Sequence, residues 1–78
     1  MDLLEMIIRK TSLDYISDLR WEKNWKNILP ALRQVPESDY AKSEWQEVYR
    51  YITGDQSNRK AGKKELIEML KKFEFRGM

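Results

Sequence analysis

The sequence predicts an all-α fold: a small bundle of four short helices, or five if residues 13–20 form one of their own. Three observations carry this prediction. Apolar residues recur at spacings of three and four along the chain, the period of one helix face. No stretch alternates apolar and polar over a strand's length and ends in hairpin residues. Charges near the expected helix ends have the sign the helix dipole favours. With 78 residues, residues 1–78 make a single domain, since a second would need roughly 50–100 more. Hydrophobic content of 41% with 12% aromatics suffices for a packed core and argues against wholesale disorder.

The first helix is expected over residues 2–10. Leu3, Leu4, Ile7 and Ile8 form one stripe. Asp2 and Glu5 lie in its first turn and Arg9 and Lys10 in its last. Ser12 can cap a second helix over residues 13–20, separate from the first or continuous with it. There Leu13, Ile16 and Leu19 step by three, and Tyr15 and Leu19 by four.

Trp21, Trp25, Ile28, Leu29 and Leu32 share the next face. Pro30 interrupts it, because an internal proline loses a hydrogen bond and clashes with the preceding turn, at about 3 kcal/mol. It also disfavours helical geometry at Leu29. Either one helix kinks at Pro30, or a turn near Asn27 places Pro30 in the first turn of a new helix. The stripe keeps its phase across the proline, so the reading adopted is one helix over residues 22–34, kinked near Pro30.

Residues 35–39 read as a loop. Ser43-Glu44-Trp45-Gln46 matches a capping box and opens a helix over residues 44–53, with Trp45, Val48, Tyr49 and Ile52 as its stripe. Gly54 stands where a C-terminal glycine stops a helix. After a loop that reaches Gly62, Leu66, Ile67, Leu70 and Phe73 mark a last helix over residues 63–74. The expected core is Leu4, Ile7, Ile16, Leu19, Trp25, Ile28, Leu32, Trp45, Val48, Ile52, Leu66, Ile67, Leu70 and Phe73.

Composition narrows the function classes. The chain has no cysteine and no histidine, which removes disulfides, thiol nucleophiles, Cys-type zinc sites and the commonest general base and metal ligand. Asp14 with Asp18, and Glu44 with Glu47, are carboxylate pairs on one helix surface. Neither comes with a glycine-containing loop or further oxygen ligands of the kind a cation needs. The expectation is a non-enzymatic protein with no cofactor and no metal. No apolar run approaches the ~20 residues of a bilayer span, so no membrane partner is expected. The N-terminal basic residues follow the apolar stretch rather than precede it, and with no cysteine the expected location is cytoplasmic.

Nine aromatic residues, three of them tryptophan, are a heavy load for this length. Helical spacing assigns Trp25 and Trp45 to the core. Trp21 and Tyr51 lie at the edges of their stripes and are the partner-binding candidates, since an exposed aromatic brings large contact area with little entropy to lose. The expected partner is another protein or a second copy of this chain, as a homodimer.

Charge is uneven. Residues 1–53 carry eight Lys/Arg against nine Asp/Glu, and residues 54–78 seven against four. This supports an alternative, a nucleic-acid-binding module with a helix-turn-helix-like region over residues 44–74. Arg59, Lys60, Lys63 and Lys64 would meet phosphates and Asn58 a base edge. That motif wants a turn of about 3–4 residues, which holds only if the last helix starts near Ser57. The other reading of this basic run is a solvated face, and the pI of about 8.9 falls just short of the usual flag for a nucleic-acid binder.

Overall fold

A computed structural model describes residues 2–57 and 60–76, with side chains through residue 72. Among these residues the fold is all-α, with four α-helices: α1 (Leu3–Thr11), α2 (Trp25–Gln34), α3 (Lys42–Thr53) and α4 (Lys63–Arg76). The main packings join α1 to α2, α2 to α4, α4 to α3 and α3 back to α1, so the helices close a four-membered ring around one core. The radius of gyration is 11.4 Å, against about 11.5 Å expected of a compact chain this long. Among the described residues no helix is long and apolar enough to cross a membrane.

Helix α1 starts at Asp2, whose carboxylate accepts the Glu5 N–H at 2.8 Å. Leu3 and Ile7 are buried, with Leu4 and Ile8 partly buried beside them. Leu3, rather than the expected Leu4, joins Ile7 in the core. The helix ends where Ser12 turns left-handed at φ 60°.

That residue also overturns the expected α-helix over residues 13–20. Tyr15 is extended, and only Ile16–Arg20 coil, as a 3₁₀ turn. The Asp18 carboxylate accepts the Tyr15 N–H at 3.2 Å, and the Asp18 N–H donates to the Tyr15 carbonyl at 3.0 Å. A short polar side chain that binds nearby backbone offers an alternative to the α-helix, and here it prevails. Five residues of 3₁₀ turn cannot present a long stripe, so Leu19 is buried and Ile16, expected in the core, is 42% exposed.

A second short 3₁₀ turn, Glu22–Asn24, replaces the expected first turn of the third helix, and α2 proper begins at Trp25. Pro30 lies inside α2 with its ring exposed. Its missing N–H would have faced the carbonyl of Lys26, a residue that is itself exposed. Trp25, Ile28, Leu29, Ala31 and Leu32 are all buried by this helix. At roughly 1.5–3 kcal/mol per large buried side chain, their burial outweighs a proline penalty of about 3 kcal/mol.

Helix α3 begins two residues before the expected start. Ala41 is its N-cap and no side chain caps it, so the Ser43 capping box does not form. The Ala41 carbonyl takes the N–H groups of Glu44 and Trp45 instead. Gly54 ends α3 at φ 76°, and its N–H closes on the Arg50 carbonyl at 2.9 Å. At the start of α4 the Glu65 carboxylate accepts the Gly62 N–H at 3.0 Å.

The core comprises Leu3, Ile7, Leu19, Trp25, Ile28, Leu29, Leu32, Val35, Trp45, Val48, Tyr49, Ile52, Ala61, Leu66 and Leu70. Ile67, expected in it, is partly buried at its edge. The Phe73 side chain lies outside the described residues. Each buried tryptophan ties its helix to the segment before it. Trp25 Nε1 donates to the Leu19 carbonyl and Trp45 Nε1 to the Glu37 carbonyl, both at 2.9 Å.

Candidate protein-binding surface

The connection between α1 and α2 is built so that its backbone is tied inward while three of its large side chains stay outside. Leu19 enters the core and gives its carbonyl to Trp25. Asn24 Nδ2 holds the Asp18 carbonyl at 2.8 Å. Tyr15 and Trp21 flank the 3₁₀ turn Ile16–Arg20, and both have extended backbones. The outcome is a fixed loop on which Tyr15 is 70% exposed, Trp21 56% and Ile16 42%. Among the described residues these are the exposed large hydrophobic side chains, and all three fall within seven consecutive positions.

Trp21, one of the two partner-binding candidates, is thus on the surface. Lys23 Nζ stands 4.5 Å from its ring centroid, a cation–π contact that leaves much of the indole in solvent. Tyr51, the other candidate, is half-buried. Arg20 covers it: the guanidinium carbon lies 4.3 Å from the ring centroid, and Nε donates to the Tyr51 carbonyl at 3.0 Å. Arg20, which packs on Tyr51, is the residue before Trp21 in the sequence. Spacing pointed to Trp21 but missed Tyr15 and Ile16, because an assumed α-helix turned Ile16 inward. The signal that could have found them is Asp18, whose short carboxylate favours a local turn.

A groove of about 690 Å³ opens elsewhere, where the N-terminal turns of α3 and α4 approach the Glu37 turn. Lys42, Lys60 and Lys64 line it together with Trp45 and Glu65. Glu37 and Glu65 crowd the α4 N-terminus: a Cβ placed on Gly62 would stand 3.8 Å from Glu37 Oε1 and 3.6 Å from Glu65 Oε2. Carboxylates already occupy the position an anion would take.

Of the basic set in the nucleic-acid alternative, Asn58 and Arg59 lie outside the described residues. Lys60 and Lys64 are exposed at the groove. Lys63 is half-buried, donates from Nζ to the Val35 carbonyl at 2.5 Å and stands 5.9 Å from the Trp45 ring centroid. The short turn that alternative needs is not formed. Helix α3 ends at Thr53 and α4 starts at Lys63, so residues 54–62 separate them.

The carboxylate pairs are also placed. Asp14 is exposed, Asp18 is bound to Tyr15, Glu44 is half-buried and Glu47 exposed. Among the described residues no three His, Cys, Asp or Glu side chains gather as a metal site would require. Comparison with known proteins gives no match to a protein family, to a curated protein or to a solved structure.

Proposed function

We propose that this chain is a small non-enzymatic binding module that recognises protein through Tyr15, Ile16 and Trp21. The observation that carries the reading is the gathering of its exposed large hydrophobic side chains into residues 15–21. Large apolar side chains left exposed within one short segment, on a chain with 36% charged residues, mark a contact site. Aromatic anchors concentrate binding energy at such sites. The inward ties of Leu19, Asp18 and Arg20 hold the loop before a partner arrives, so little ordering entropy is lost on docking. Cytoplasm is the setting that suits a cysteine-free chain.

Replacing Trp21 by Ala tests it. The variant should unfold within about 0.5 kcal/mol of the wild type, as for a surface position, while retaining few of the proteins the wild type captures from a lysate of its source cells. Undiminished capture would refute the reading. So would a loss of about 3 kcal/mol or more, which would return Trp21 to the core.

A further inference from the structure

The groove of about 690 Å³ between the N-terminal turns of α3 and α4 continues into a second hollow of about 470 Å³ along α4. The two share Glu37 and Lys64, and together they are lined by five lysines and three glutamates. The other ten Lys/Arg and ten Asp/Glu of the chain cancel, so its net charge of +2 resides at this groove. We infer that the groove is a second docking site and that its occupant is an extended acidic peptide segment of another protein. None of residues 15–21 lines it, so the inference stands apart from the surface proposed above.

The lysines are placed to be read by an extended chain. Lys64 and Lys71 are seven residues apart, nearly two full turns. They therefore lie on one side of α4, about 10 Å apart along its axis, a distance that about three residues of extended peptide cover. Half-buried Ile67 lies between them, and Lys42 and Lys60, both exposed, line the end of the groove beside α3. Lys63 is spent on the Val35 carbonyl. Lys42, Lys64 and Lys71 make no hydrogen bond or ion pair with the described residues.

The three carboxylates decide the class of partner. Glu65 accepts the Gly62 N–H at 3.0 Å, and Glu37 stands beside the same residue. Both answer the positive end of α4 rather than the lysines. Glu68 is exposed, about one turn after Lys64 and one before Lys71, and stays within the lysine track. A phosphate backbone presents anions at regular steps and would meet these carboxylates as well as the lysines. A peptide can set its carboxylates against the lysines and offer backbone N–H donors to Glu68. The mixture of charges therefore favours an acidic peptide over a nucleic acid.

Fluorescence anisotropy tests this with labelled hexaglutamate, titrated with the full chain at about 150 mM salt, where charges more than about 8 Å apart are screened. Binding should be weak, with Kd of about 50–500 µM. Lys64→Glu and Lys71→Glu should each weaken it by about tenfold or more, since like charges then face the peptide. Lys10→Glu and Lys26→Glu make the same change of net charge at exposed positions outside the groove. Each should shift Kd by less than about twofold.

Lys64 stands in the first turn of α4, where a glutamate suits the helix dipole, so its reversal leaves the helix intact. Should Lys71→Glu unfold, Lys64→Glu carries the test alone. Hexaglutamate left unbound at about 2 mM protein, or equal losses from the groove and control reversals, overturns the site. Labelled hexathymidylate bound more tightly than hexaglutamate overturns the peptide as occupant in favour of a nucleic acid.

Discussion

The indole N–H of Trp25 donates to the carbonyl oxygen of Leu19 at 2.9 Å, inside the core. Trp25 is the first residue of α2, and Leu19 is the one buried residue of the 3₁₀ turn Ile16–Arg20. This bond decides where the loop before α2 sits, and hence that Trp21, between the two, faces solvent. Trp45 repeats the arrangement with Glu37 before α3.

Replacing Trp25 by Phe keeps most of the buried area but removes the donor. The Leu19 carbonyl would be left buried and unpaired, at a cost of about 1–3 kcal/mol. Urea unfolding followed by circular dichroism should show that loss.

Leu19 and Ile16 provide a contrast within one turn. Leu19→Ala should cost about 2–5 kcal/mol, the range for emptying a core position. Ile16→Ala should stay within about 0.5 kcal/mol. Equal losses at the two sites would mean that residues 16–20 pack as the α-helix their spacing suggests.

Gly54 ends α3 at φ 76°, with open space where a Cβ would stand. Gly54→Ala therefore meets backbone strain and no clash, and should destabilise by about 1–2 kcal/mol. The same unfolding assay measures it.

Pro30 occupies the interior of α2 on its exposed side. Pro30→Ala restores an N–H for the Lys26 carbonyl and relieves the clash. A proline also restrains the unfolded chain by about 0.4–1 kcal/mol, so the net gain should be about 1–2 kcal/mol. A fall in the urea midpoint would contradict this account of α2.

Legibility followed the physics of each signal. The all-α class was readable because stripes such as Trp45–Val48–Ile52 and Leu66–Leu70 report burial directly. A glycine after a stripe is similarly informative, because few other residues tolerate the conformation Gly54 adopts. The α1–α2 connection was not readable by spacing, because Leu13, Ile16 and Leu19 match a helical period that the backbone abandons at Ser12. The Ser43 box misled for a related reason. A motif of four residues competes with the anchoring of Trp45 to Glu37, and the tertiary contact fixes where the helix begins. Of the surface, Trp21 was legible as a stripe-edge aromatic. Tyr15 and Ile16 depended on a local turn that periodicity does not encode.

Photo-cross-linking from position 21 tests the docking surface most directly. A benzoylphenylalanine replacing Trp21 should form discrete adducts in the source cells, while the same group replacing the exposed Gln34 on α2 should form few. Adducts as abundant from position 34 as from position 21, or none from position 21, would contradict a binding surface at residues 15–21.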